Sequence, residues 1–255
     1  MQQPLAYRMR PTKIEEIVGQ QDLVGPGKII SRMVKAKMLS SMILYGPPGT
    51  GKTSIASAIA GSTKYSIGVL NAATDTKKDL QVVAEEAKMS GTVVLLLDEI
   101  HRLDKNKQDF LLPLLEKGAI ILIGATTENP YININPAIRS RTQIFEVHPL
   151  SPKDIKQAVL RALKDVKNGL GQFHVNLSDP AMEFLTTTTN GDLRSALNGL
   201  ELAVKSTPEN DDKMIDIDLS VIEECLQRKS LSADKNVMLI MMSYLHFKNQ
   251  FGDLM

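Results

Sequence analysis

Eight consecutive residues, Gly46-Pro47-Pro48-Gly49-Thr50-Gly51-Lys52-Thr53, carry the clearest chemistry in this sequence. Gly49 and Gly51 let backbone N–H groups crowd a polyphosphate, and a helix starting here turns its positive end toward the same anion. The pattern is G-x-x-x-x-G-K-T, in which Lys52 reaches the β- and γ-phosphates and the Thr53 hydroxyl ligates Mg²⁺. Its setting matters more than the pattern. The loop follows a strand-like run at 42–45 and opens a helical run from Ser54 to residue 60, the strand–loop–helix order that the chemistry requires.

A second group of residues complements the first. The apolar run Val93-Val94-Leu95-Leu96-Leu97 ends in Asp98-Glu99, at the strand end where α/β folds bind ligands. Asp98 can complete the Mg²⁺ shell that Thr53 begins, and Glu99 can orient and deprotonate a water in line with the γ-phosphate. A solvated acidic turn is the commoner fate of such a pair, and the phosphate loop upstream argues against it. The next apolar run, 120–125, ends in Thr126-Thr127-Glu128-Asn129. Thr127 is placed to bond both water and γ-phosphate, with Asn129 the alternative and a plain strand-end turn the competing reading.

Two arginines extend the set. Asn135-Pro136-Ala137-Ile138-Arg139-Ser140-Arg141 reads as a short capped helix. A guanidinium suits charge that develops on a transferring phosphoryl group. Arg141 on a subunit surface would act on a neighbour's nucleotide; otherwise it is an ordinary surface arginine. Asn190-Gly191-Asp192-Leu193-Arg194-Ser195 caps a helix with Asp192 and puts Arg194 in its first turn. A cation there opposes the helix dipole at a cost of about a few tenths of a kcal/mol. That placement points to a phosphate contact across a cleft. His101 has no second histidine or cysteine at ligand spacing, so its reading is positional only.

The elements that must position these residues alternate up to about residue 147. Short apolar runs at 42–45, 67–71, 93–98, 120–126 and 143–147 are separated by helical stretches such as 77–89 and 104–117. Runs apolar almost throughout mark strands buried on both faces of a parallel sheet, and the alternation implies a doubly wound α/β layer. Pro113 should kink its helix or remove one hydrogen bond. From Leu150 onward the pattern is helical only. Ser151-Pro152-Lys153-Asp154 starts a helix reaching about residue 165. Further helices are expected at 180–188, 193–205 and 219–227, with 207–218 a polar loop. The expected division is a nucleotide-binding α/β domain at 1–149, a helical domain at 150–236 and an atypical tail at 237–255.

Composition bounds the rest. The 255 residues are 43% hydrophobic, enough for one large domain or two modest ones. Net charge is +1, so no global field advertises nucleic acid or membrane, and DNA contact would need a local patch or an assembled ring. The single cysteine, Cys225, excludes an internal disulfide framework and reads as a buried structural thiol. The start, Met1-Gln2-Gln3-Pro4, lacks the build of a signal peptide, and no apolar run reaches membrane-spanning length. These features lead us to expect a soluble cytoplasmic protein with no membrane partner.

In this order, the phosphate loop, Asp98-Glu99, Thr127, Ser140-Arg141 and Gly191-Asp192-Leu193-Arg194 resemble an AAA+ ATPase of the clamp-loader clade. Within that clade the chain is most similar to the bacterial replication-associated recombination proteins and their eukaryotic relatives, the Werner-helicase-interacting proteins. The residues that narrow it are Pro4-Leu5-Ala6-Tyr7-Arg8-Met9-Arg10-Pro11, Val18-Gly19-Gln20, Leu70-Asn71-Ala72, Asp98-Glu99-Ile100-His101-Arg102, the stretch 124–130 and the stretch 191–201. The resemblance covers about residues 4–236. It implies a P-loop αβα domain with a five-stranded parallel sheet, a small all-helical lid, ATP and Mg²⁺ at their junction, and an arginine supplied by the next subunit of a homo-oligomer.

By the same likeness, Arg10, Pro11, Val18 and Gly19 would cradle the adenine and ribose. The implied activity is a DNA-dependent ATPase at stalled or gapped replication forks, nucleoid-associated, working on single-stranded, gapped or forked DNA with the single-strand-binding protein and other replisome components. A clamp-loader or Holliday-junction motor subunit is the related alternative. A non-hydrolysing ATP-binding module is the alternative from another class. Residues 237–255, holding four of the twelve methionines, depart from the family pattern, so the reading there is a frameshifted or truncated end.

Overall fold

The computed structural model describes residues 3–226. The expectations for Gln227 and for 237–255 lie outside the described residues. The chain opens with three short helices, α1 (Leu5–Arg8), α2 (Gln21–Val24) and α3 (Ile29–Lys35). Strands and helices then alternate: β1 (Met42–Tyr45), α4 (Lys52–Gly61), β2 (Ser66–Asn71), α5 (Lys77–Ser90), β3 (Val93–Asp98), α6 (Lys105–Glu116) and β4 (Ile120–Thr126). Two four-residue helices, α7 (Pro130–Asn133) and α8 (Pro136–Arg139), lead into β5 (Gln143–Glu146).

All five strands run parallel in the order β2-β3-β4-β1-β5. The sheet separates two cores because successive side chains point to opposite faces. Met42, Leu44, Val94, Leu96, Ile121 and Ile123 pack with Ile55 and Ile59 of α4. Ile43, Val93, Leu95, Leu97, Ile120 and Leu122 pack on the other side with Leu80 and Val83 of α5 and Leu111 of α6. Burial on both faces is why β3 and β4 read as unbroken apolar runs. Pro113 lies inside α6, which continues through it, so the cost is confined to the hydrogen bond a proline cannot donate.

The remaining residues build a helical layer of α9 (Pro152–Lys164), β6 (Val175–Leu177), α10 (Asp179–Thr188), α11 (Leu193–Ser206) and β7 (Ile215–Ile217), followed by helical residues 219–226. The Ser151 hydroxyl accepts from the Asp154 N–H, and the Asp154 carboxylate accepts from the Ser151 N–H, so α9 starts where its cap predicts. Two features differ from expectation. The segment 207–218 is not loop throughout: β7 pairs in parallel with β6, Val175 opposite Ile215 and Leu177 opposite Ile217. Ile215 and Ile217 enter the helical core, which pulls the Ile-Asp-Ile alternation into a strand.

The second difference concerns the N-terminus. Leu5 and Met9 lie in the helical core with Leu150, Ile155 and Leu200, whereas Ile14 belongs to the α4 side of the sheet. Residues 5–14 therefore run as a strap from one layer to the other. Glu201 of α11 anchors it, accepting from the Leu5 N–H at 2.7 Å and from Arg8 Nη2 at 2.8 Å. Among the described residues no helix is long and apolar enough to cross a membrane.

Candidate functional site

Three neighbouring strands deliver the site. Tyr45, the last residue of β1, stands opposite Thr126, the last of β4, and Leu97 of β3 stands opposite Gly124. The chain therefore leaves the sheet at adjacent points with the phosphate loop, Thr127 and Asp98-Glu99. The Gly46 N–H donates to the Thr126 carbonyl at 3.2 Å, fixing the start of the loop. At Gly46, with φ +153°, an added Cβ would lie 2.0 Å from the Val147 carbonyl oxygen, so only glycine fits between β1 and the end of β5.

A cleft of about 370 Å³ opens above these strand ends. Its floor is formed by Pro48, Gly49, Gly51, Lys52, Thr53 and Ser54, and one wall by Asp98, Glu99 and Thr127. Arg194 and Leu193 close it from α11, and Tyr7, Arg10 and Pro11 from the strap. An adjoining apolar recess of about 50 Å³ is lined by Pro11, Val18, Thr50 and Ile55, among others.

Most of the residues singled out from sequence therefore meet. Gly46 and Pro47 do not line the cleft but tie it down: Lys52 Nζ donates to their carbonyls at 2.7 and 2.6 Å. Gly19 lines neither cavity; its φ is +73° and it packs against Leu150. Asn129 is a helix cap, accepting the Tyr131 N–H at 2.9 Å, and does not line the cleft, whereas Thr127 does, with Thr126 beside it. Arg141 lies outside the cleft lining, paired with Glu116 and donating to the Ala137 carbonyl at 2.7 Å.

The electrostatics suit an anion. Burial pushes the Lys52 ammonium below its ordinary value, Asp98 and Glu99 pull against that, and Arg194 adds to it. Lys52 and Arg194 thus feel each other across the cleft, an arrangement that a polyphosphate between them would relieve. Thr53 Oγ1 donates to Asp98 Oδ2 at 3.4 Å, so a hydroxyl and a carboxylate face one point beside the loop. Among the described residues no cluster of three or more His, Cys, Asp or Glu could hold a metal. This donor set fits Mg²⁺, which takes one or two protein oxygens and fills its octahedron with phosphate and water.

Three contacts at the site were not foreseen from the sequence. Gln20, buried and at φ +55°, donates to the His148 carbonyl at 2.6 Å and accepts the His148 N–H at 3.2 Å, pinning the chain beyond the strap to the segment that follows β5. Asp192 caps α11 by accepting the Ser195 N–H at 2.9 Å and touches Gly49, while the Leu193 N–H donates to the Gly49 carbonyl at 3.1 Å. The start of α11 thus holds the phosphate loop directly. His101, read as positional only, lies 3.3 Å from the Glu99 carboxylate and 2.8 Å from the Thr126 hydroxyl. The cap at Asp192 was legible in the sequence, but its contact with Gly49 and the roles of Gln20 and His101 were not, because those partners are distant or lie across a turn.

Comparison with known proteins agrees with this architecture. Residues 42–150 match the ATPase family associated with various cellular activities (AAA), and residues 171–237 match the AAA C-terminal domain. The replication-associated recombination protein A of Bacillus subtilis is 66% identical over 233 residues, covering 91% of this chain and 55% of the relative. The ATPase WRNIP1 of Dictyostelium discoideum is 37% identical over 210 residues, 81% of this chain and 24% of the relative. The chain thus spans about half the length of the Bacillus relative and about a quarter of the Dictyostelium one. Among solved structures, the Thermotoga maritima RuvB Holliday junction branch migration motor superposes with a TM-score of 0.66 at 24% identity, covering 86% of this chain and 72% of that one. That likeness is one of fold.

Proposed function

The chain belongs to the AAA ATPase family, and from that premise we propose that it hydrolyses ATP and couples hydrolysis to DNA in replication-linked recombination. The observation that carries this reading is the meeting of Lys52, Thr53, Asp98, Glu99, Thr127 and Arg194 around one cleft, from elements spread over 140 residues of chain. The DNA part leans on the names of the relatives, replication-associated recombination protein A above all.

In this reading the Gly49–Ser54 backbone and Lys52 hold the β- and γ-phosphates, and the apolar recess with Pro11 and Val18 takes the base. Arg10 stacks on Tyr7 at 4.7 Å and stands at the nucleotide's outer edge. Thr53 and Asp98 hold Mg²⁺, which when bound neutralises charge on the phosphate oxygens. Glu99 takes the proton of the attacking water, Thr127 orients that water, and Arg194 reports the γ-phosphate to the lid. Its absence from the cleft lining favours Arg141 acting on a neighbour's nucleotide, in a homo-oligomer. Division near residue 150, single-strand-binding protein as a partner and action at stalled or gapped forks belong to the same proposal.

The test is the rate of phosphate release at rising protein concentration, with and without gapped or forked DNA, using Lys52→Ala as the blank. A specific rate that climbs with both concentration and DNA is expected. ATP binding with a flat rate equal to the blank would refute the hydrolase reading and leave an ATP-binding module.

A further inference from the structure

We propose that His101 is the positioning residue for Glu99, holding the carboxylate by its Nε2–H while Thr126 at the end of β4 holds the other side of the ring. The inference rests on the hydrolase reading and deepens it. His101 lies on a single 3₁₀ turn, Ile100–Arg102, and its side chain is only 6% exposed. Nε2 stands 3.3 Å from Glu99 Oε2 and 3.3 Å from Glu128 Oε1. Ionised carboxylates accept and do not donate, so Nε2 must carry a hydrogen. Nδ1 stands 2.8 Å from Thr126 Oγ1. That hydroxyl also accepts the Glu128 N–H at 3.0 Å, so Thr126 ties the ring to the turn that carries Glu128.

Glu99 needs such a hold. Its backbone is left-handed at φ +53°, a conformation that costs a residue with a Cβ about 1 kcal/mol or more and persists where the surroundings impose it. The Glu99 N–H donates to Asp98 Oδ1 at 3.0 Å, which fixes the backbone but not the carboxylate. Both ion pairs of that carboxylate, to His101 and to Arg102 at 3.6 Å, fall on Oε2. Oε1 is thereby left to take a proton from water. Arg102 is 62% exposed and Glu99 34%, so the buried ring is the rigid partner of the two. Glu128, two residues beyond Thr126, claims the same Nε2–H.

The test compares His101→Leu with His101→Gln in the full chain, since glutamine keeps an N–H donor near the Nε2 position. His101→Leu should lower kcat about 10- to 100-fold with KM for ATP within about twofold, the scale of lost support behind a reacting group. His101→Gln should recover most of that loss. Equal kcat in His101→Leu and wild type, or a glutamine variant no better than leucine with KM raised in both, would overturn the assignment. Should wild type release phosphate no faster than Lys52→Ala, the hydrolase reading fails by itself. The ring is then read directly by long-range ¹H–¹⁵N spectra: a proton on Nε2 whose shift moves in Glu99→Gln is expected, and a proton on Nδ1 alone overturns the proposal.

Discussion

Replacing Glu201 with alanine should destabilise the chain by about 3 kcal/mol, most of it from two contacts that the strap makes with α11. The Glu201 side chain is 11% exposed; its Oε2 accepts the buried Leu5 N–H at 2.7 Å. Its Oε1 accepts from Arg8 Nη2 at 2.8 Å and from Lys205 Nζ at 2.7 Å. Stranding the Leu5 amide costs about 1–3 kcal/mol. Arg8, 12% exposed, loses its counter-charge but keeps the Gln3, Asn168 and Gly169 carbonyls, so its share is about 1 kcal/mol. Lys205 is 44% exposed and adds a few tenths at most. The sum corresponds to a fall in Tm of about 6–12 °C for a chain of this size. Glu201→Gln, which still accepts from Leu5, should cost about half as much.

Urea unfolding at pH 7 measures both, and the pH dependence gives a second handle. Burial pushes the Glu201 carboxyl up, but hydrogen bonds from Lys205, Leu5 and Arg8 outweigh it and leave it below its ordinary 4.5. A carboxyl with a lowered folded value adds stability that is complete above its unfolded pKa and lost as pH falls through the folded one. The gap between wild type and Glu201→Gln should therefore narrow as pH drops below 4.5. A loss under about 1 kcal/mol for alanine, or glutamine as costly as alanine, would refute the claim that this carboxylate fastens the strap.

Three further outcomes follow from the site. Glu99→Gln should bind ATP within about threefold of wild type by calorimetry while phosphate release falls about 100-fold or more, the usual worth of a general base. Arg141→Ala should also keep ATP binding and lose about 1000-fold in hydrolysis; mixing it with Glu99→Gln should restore some turnover if the arginine serves a neighbour. Gly49→Ala puts a Cβ 2.0 Å from Asp192 Oδ1 at φ +72°, so it should destabilise by about 2–3 kcal/mol through backbone strain and a displaced cap, read as a lower Tm even without nucleotide.

Much of the fold was legible because its signals are local. The runs 93–97 and 120–125 could be read as buried strands since both their faces are covered, and Ser151 and Asp192 announced helices that begin where they predict. The family resemblance, carried by motifs, agrees with the matches to residues 42–150 and 171–237. What escaped was non-local. β6 and β7 are three residues each and become strands only by pairing across some forty positions. The strap at 5–14 looked like part of the sheet layer because nothing near it in sequence shows Glu201. His101 looked incidental because its partners are a turn and a neighbouring strand end.

By itself the sequence determined the pieces: a loop of glycines and a lysine that can wrap phosphate, two acids at the end of an apolar strand, and helices with their caps. These follow from steric and hydrogen-bonding preferences that act over a few residues. The tertiary structure decided which pieces meet. The order β2-β3-β4-β1-β5 sets Asp98, Thr127 and the phosphate loop side by side although their strands are far apart in the chain. Docking of α11 on Gly49 brings Arg194 over the same cleft, and the ring of His101 fits between Glu99 and Thr126. Such contacts depend on the packing of whole layers, so no window of sequence contains them.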